Sequence, residues 1–439
     1  MWALKRGHSL SYVGLFLFTL VLYFRPMDYG LGGAQYALWI AVFTLAAFVP
    51  TQFALEGTLT ARPREVNLIL LLSLLALLSM PLAVSRAEAW SGFTDKFSKV
   101  VLMFIVMVNV VRTERRLKAL WFILLAAGLT ASLSAFNAYR SGNLTVGGYR
   151  VQGAGSNLLG NPNDMALYLV TVMPIAVALF LGTRAPHKKV AYAVCTILFV
   201  VAIVVTYSRG GFLGLIATMA VMAWKIGRRN RLQVTLASIV VIAAFLAFVP
   251  GNYGLRVASI FIPSLDPVGS SGARQNLLTT SVNVALHNPL LGVGMENFHF
   301  MGAHEQVSHN SYTQVASELG LPALIVYIMF MVTPLRRLRQ VERETFAQGR
   351  ASPYHDLAIG LQASLVGYMV CSFFASVAYL WYVYYLVGFS VCLRRMYEAE
   401  TAVSQEHALA AHGDETPNRE AEGDTRPEDF RNWEAAGAR

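Results

Sequence analysis

Long unbroken blocks of apolar residues constrain the fold of this chain more than any other feature. Residues 66–84, 190–206 and 232–249 carry no charged side chain, and each is about long enough to cross the roughly 30 Å of bilayer hydrocarbon as a helix. The composition agrees, since 55% hydrophobic against 14% charged residues leaves too little charge to cover a soluble protein of 439 residues. The expectation is an all-α polytopic membrane protein.

Twelve candidate spans follow from the hydropathy pattern, at roughly 10–24, 35–55, 66–84, 93–111, 119–139, 163–182, 190–206, 209–225, 232–250, 321–335, 357–376 and 379–393. No small-residue cleavage site follows the first apolar run, so it reads as a retained span. The net charge of +10 is a topology signal rather than a nucleic-acid surface, because the basic residues fall in short loops between spans. With both termini cytoplasmic, only nine cations face outward: Arg25, Arg86, Lys96, Lys99, Arg140, Arg150, Arg209, Arg256 and Arg274. Residues 1–393 then form the transmembrane domain. Within it, 251–320 is one large outer loop between the ninth and tenth spans, with helix-like stretches at 273–286 and at 310–319, closed by Gly320. A loop of that length on a membrane bundle is usually functional. Residues 394–439 form a cytoplasmic tail that is expected to be disordered from about Ala399, for want of large apolar residues. Cys195, Cys371 and Cys392 lie in apolar spans without paired spacing, which excludes a disulfide framework and a cysteine metal site.

Outward cations are informative because the positive-inside bias disfavours them. Ser208-Arg209-Gly210-Gly211 opens the eighth span with a serine cap, so free N–H groups and the positive end of the helix dipole face outward. The same grammar recurs as Ser271-Gly-Ala-Arg274 and as Ser308-His309-Asn310, each ahead of a loop helix. Three helix starts bearing Arg, Arg and His suit a diphosphate, with Arg209 and Arg274 as bidentate donors; the competing reading is that each arginine snorkels to headgroups. Snorkelling is the expectation for Arg150, Arg256, Lys96 and Lys99, with Arg150 kept as a second-tier binding candidate. Lys96 and Lys99, three residues apart, make a second-tier lipid-phosphate handle on one helix face. His309 suits proton transfer near neutral pH. His304-Glu305-Gln-Val-Ser-His309 has one residue too many for the zinc pattern H-E-x-x-H, and on a helix its two imidazoles would point about 140° apart, so no metal site is expected. Gly153-Ala-Gly155 and Gly160-Asn-Pro-Asn-Asp164 read as turn and helix-start chemistry, and Gly210, Gly211, Gly214 and Ala217 as a close-packing face.

Ser208-Arg209-Gly-Gly-Phe-Leu, Gly272-Ala-Arg274, Asn288-Pro-Leu-Leu-Gly-Val-Gly294-Met-Glu-Asn-Phe298 and His309-Asn310-Ser-Tyr followed by Glu318-Leu-Gly-Leu-Pro, in this order, resemble the O-antigen ligase and polymerase superfamily of the bacterial inner membrane. The resemblance covers about residues 156–335. Ligases of that family carry His, then Asn, Ser or Gln, nine residues, Gly, two residues, and Gly, Thr or Tyr. This chain matches through Gly320 and departs at Ala323.

The resemblance implies transfer of a glycan from undecaprenyl diphosphate to an acceptor at the periplasmic face, with inversion and with no metal, nucleotide sugar or other cofactor. The expected acceptor is lipid A core. It also implies diphosphate binding by Arg209 and Arg274 and deprotonation of the acceptor by His309. Asn310 and Glu318 orient the imidazole or the acceptor in this reading, unless Asn310 only caps its helix and Glu318 only forms a structural pair. Rivals on the same fold are an O-antigen polymerase and a protein O-oligosaccharyltransferase. From another class comes a polysaccharide or lipid flippase, for which no internal repeat is visible.

Overall fold

A computed structural model describes residues 7–24, 36–144, 150–151, 159–227, 231–232, 235–236, 239–240, 270–301, 306–348 and 352–414. Among these residues the regular structure is helical and no strand occurs. In chain order the α-helices are α1 (Ser9–Phe24), α2 (Tyr36–Glu56), α3 (Arg64–Ser79), α4 (Arg86–Ser91), α5 (Ser98–Val110), α6 (Glu114–Arg140) and α7 (Pro162–Gly182). They continue with α8 (Pro186–Val205), α9 (Arg209–Gly227), α10 (Ser270–His287), α11 (Ser311–Leu319), α12 (Leu321–Ala347), α13 (Pro353–Cys371) and α14 (Trp381–Asp414).

Local chemistry sets most starts. Thr113 and Ser352 stand in extended conformation and accept the Arg116 and Tyr354 N–H groups on their hydroxyls, capping α6 and α13. Helices α7 and α8 begin on Pro162 and Pro186, where a missing N–H costs nothing.

Among the described residues, eight helices are long and apolar enough to cross a membrane: α2, α3 with its extension to Leu82, α6, α7, α8, α9, α12 and α13 with its extension to Phe374. This is a multi-pass membrane protein. The other expected spans differ for identifiable reasons. Helix α1 is apolar but only 16 residues long. The 93–111 stretch is divided by a π-helical turn, Gly92–Phe97, that leads into the 13-residue α5. Residues 379–393 fall mostly within the start of α14. The stretch 232–250 lies largely outside the described residues, as do 251–269, Arg25, Gly153-Ala-Gly155, His304 and Glu305.

Helices α7 and α13 are central, with 78% and 72% of their apolar windows buried against 22% for α2. They pack on α9 through small residues. A Cβ on Gly211 would sit 2.5 Å from Ala166 Cβ, and one on Gly210 would sit 2.8 Å from Phe374 Cβ. The close-packing face expected of Gly210, Gly211 and Gly214 is therefore present, and it brings the start of α9 against the end of α13.

Ends of α2, α3, α9 and α12 form one pole of the bundle, where charges meet charges. Arg112 donates to Glu56 at 2.6 Å, Arg394 to the fully buried Glu65 at 3.1 Å, and Lys225 to Glu342, which also accepts from Gln362.

The chain divides into two compact units, Met1–Met396 and Tyr397–Arg439. The expected disordered tail is corrected in part, because the second unit is helical as far as Asp414. Its Ala, Glu and Gln residues have high helix propensity even without a core to bury. Residues 415–439 lie outside the described residues.

Candidate functional site

The start of α9 is built as its sequence leads one to expect. Tyr207, at φ 53°, turns the chain sharply after α8. Ser208 then accepts the Gly211 N–H on its hydroxyl at 3.2 Å and donates to Asn163 Oδ1 at 3.0 Å. Arg209 is the first residue of the helix and is only 8% exposed. Asn163 belongs to the first turn of α7, whose cap, Asn161, accepts the Asn163 N–H.

Arg150 departs from expectation. It does not reach outward but is buried, donating from Nε to Thr206 O at 2.9 Å and from a terminal nitrogen to Asn163 Oδ1 at 2.8 Å. One amide oxygen thus joins Arg150 to the cap ahead of Arg209. A buried guanidinium is costly without such acceptors, which is why the side chain stays inside.

The start of α11 repeats this pattern. His309 takes φ 53°, and Asn310 accepts the Tyr312 and Thr313 N–H groups at 2.9 and 3.1 Å, so Asn310 is the cap of the helix. The imidazole is half-buried and has no hydrogen-bond partner among the described residues. Burial first, and the positive charge of Arg274 second, hold its pKa below 6.5, so it stands neutral and open to a proton at neutral pH. Arg274 and His309 are therefore neighbours. Helix α10 begins at Ser270, earlier than expected, which places Arg274 in the second turn rather than the first.

Both starts dock on residues 369–377. Cys371 contacts Gly210 O at 3.4 Å, and Phe374 packs on Gly210. Ser311 donates to Ala375 O at 2.7 Å and accepts the Val377 N–H at 3.0 Å; Ser308 pairs with Ser376, and the Tyr312 hydroxyl donates to Met369 O. Sequence reasoning missed this platform because it ends an apolar span; its one local signal is the polar interruption by Ser372 and Ser376.

Residues 288–298 wrap the far end of α11. The Val293 and Gly294 N–H groups donate to Ser317 O and Glu318 O at 2.9 Å, and the Leu321 N–H donates to Pro289 O at 2.8 Å. Gly292 and Gly320, both at positive φ, allow backbone to lie on backbone there. Asn297, fully buried, accepts the Ser85 N–H and donates to Met295 O. His299 bonds Glu296 O through Nδ1 and reaches Glu88 at 3.1 Å through Nε2.

The two lysines do not act as one handle. Lys96 pairs with Glu296 at 2.7 Å from the π turn, while Lys99 is half-buried on α5 and meets no partner among the described residues. Glu318 sits at the opposite end of α11 from His309 and is 3% exposed. Burial lifts its carboxyl to about 8, against the favourable influence of the Glu296 N–H, the Tyr379 hydroxyl and the Phe298 N–H. Among the described residues no three His, Cys, Asp or Glu side chains converge as metal ligands.

Residues 194–328 match the family model described as O-antigen ligase, a stretch that contains Arg209, Arg274, His309 and Glu318. No curated protein matches the chain.

Proposed function

We propose, for a chain that belongs to the O-antigen ligase superfamily by its residues 194–328, the transfer of a glycan from undecaprenyl diphosphate to lipid A core. Members of this family are membrane glycosyltransferase-like enzymes that take a polyprenyl-linked glycan and an acceptor as partners. The observation that carries the finer reading is the docking of the α9 and α11 starts on the same platform, 369–377, with the open His309 imidazole beside Arg274.

In this reaction the acceptor hydroxyl attacks the anomeric carbon and its proton passes to His309. The bond from that carbon to the diphosphate oxygen breaks, and undecaprenyl diphosphate leaves. Attack opposite the leaving group inverts the anomeric centre. Arg209 and Arg274 neutralise the charge that grows on the diphosphate, which helps only if it is stronger in the transition state than in the bound donor. Arg150 supports the cap ahead of Arg209. The reaction uses no metal, and the proposed setting is the bacterial inner membrane, with twelve spans, both termini cytoplasmic and the site facing the periplasm.

The test is a transfer assay with purified protein, undecaprenyl-diphosphate glycan and lipid A core in EDTA, comparing wild type with His309→Ala and Arg274→Ala. Glycosylated lipid A core from wild type, lost in both folded variants, supports the proposal. Lengthened lipid-linked glycan in its place would assign a polymerase, and product only with a protein acceptor would assign a protein O-oligosaccharyltransferase. No product under conditions that support a control ligase overturns the acceptor assignment, and transport assays then test the flippase reading.

A further inference from the structure

Glu318 is a buried carboxyl that the proposed reaction does not use. Seven residues of helix separate it from Ser311, about 10 Å of rise, so it acts on the His309 end of α11 through the helix rather than by contact. Among the described residues the groups that face it are the Tyr379 hydroxyl, the Glu296 and Phe298 N–H groups and the Glu296 carboxylate, the last held by Lys96 at the surface. No cation is among them. Glu318 Oε2 has no hydrogen-bond partner among the described residues, and the buried Tyr379 hydroxyl lies against the carboxyl, close enough to hydrogen-bond it, with no other partner among them. Gln314 Oε1, one turn earlier on the same face of α11, is a second buried and unpartnered acceptor. A carboxylate enclosed in this way, without a counter-charge, is costly. A carboxylic acid instead brings a donor to the helix face that carries Gln314 Oε1, an acceptor without one.

We propose that Glu318 works as a neutral carboxylic acid that latches residues 292–298 onto α11 and thereby positions His309, rather than as a carboxylate partner of that imidazole. The acid keeps its proton across neutral pH, in line with a carboxyl lifted to about 8 from 4.5. The stability the neutral form lends is complete below about pH 4.5 and is lost as pH rises through about 8. The kinetic consequence rests on the transferase reading; the protonation state does not.

The experiment uses the full chain in lipid nanodiscs, as wild type, Glu318→Gln and Glu318→Ala. It reads transfer against pH, hydrogen exchange of residues 292–298, and infrared difference spectra in the protonated-carboxyl region. A wild-type carboxyl band that disappears near pH 8, and is missing from Glu318→Gln, is expected. Glu318→Ala should lose transfer by at least about ten-fold and exchange faster at 292–298, while Glu318→Gln restores transfer to within about three-fold of wild type and lacks its alkaline decline. A folded Glu318→Gln as inactive as His309→Ala overturns the proposal, as does the absence of a titrating carboxyl band. If wild type shows no transfer at all, the transferase reading fails alone, and the infrared and exchange results still decide the state of Glu318. Should Glu318→Ala not fold, Glu318→Gln decides.

Discussion

The two poles of the bundle solve the same problem in opposite ways. At the pole formed by the ends of α2, α3, α9 and α12, cations are closed off by carboxylates, as in Arg112–Glu56, Lys225–Glu342 and Arg394–Glu65. At the His309 pole, helix starts are closed by neutral side chains, Asn161, Ser208 and Asn310, and the imidazole is left open. Ion pairs at the first pole tie the helix ends to one another. Neutral caps at the second hold the helices without placing a carboxylate on the cap itself, which suits an anion at those starts. The difference separates a pole built for cohesion from one built for chemistry.

Substitutions on the two sides should therefore separate activity from stability. His309→Ala carries the largest expected effect, a loss of transfer of about a thousand-fold or more with thermal unfolding nearly unchanged. In wild type, kcat/KM should fall as pH drops through the His309 pKa, below 6.5, because the base must be neutral to accept a proton. A pH-independent rate on the acid side would remove His309 from the role. Arg274→Ala and Arg209→Ala should each cost about ten- to a hundred-fold in kcat/KM, only partly restored by lysine, since a bidentate fork is lost. Equal losses for donors with and without a diphosphate would break the assignment.

On the other side, Glu342→Gln leaves Lys225 without its carboxylate and should cost about 1–3 kcal/mol of stability, read from unfolding in detergent, with transfer per folded molecule unchanged. A selective loss of transfer there would erase the contrast between the poles. Lys96→Ala is the smallest expected effect, because the Lys96–Glu296 pair is half in solvent: less than about 1 kcal/mol, and less than about three-fold in transfer.

What was legible in the sequence was what local hydrogen bonding decides. The caps at Ser208 and Asn310 and the stop at Gly320 could be read because each involves partners two to four residues away. The apolar blocks gave the helical class for the same reason. What could not be read depends on distant segments. Nothing near Arg150 says that Asn163 and Thr206 will enclose it, and nothing near Glu296 names Lys96. The π turn at Gly92–Phe97 also escaped, because hydropathy records apolar content and not the register in which a helix winds. Glu318 was visible as an acid beside a motif; its raised pKa comes from burial beneath the 288–298 wrap, which only the fold supplies.

The platform at residues 369–377 also governs how this protein can be recombined. It lies beyond the stretch 194–328 that matches the family, yet it grips both helix starts that stretch contributes. Grafting 194–328 alone into a relative's membrane bundle would deliver the arginines and the histidine without the backbone oxygens and hydroxyls that dock them. A working chimera has to carry the end of α13 along with its own α9 and α11, so the crossover points that preserve the site fall before Arg150 and after Tyr379, and not at the borders of the conventional module.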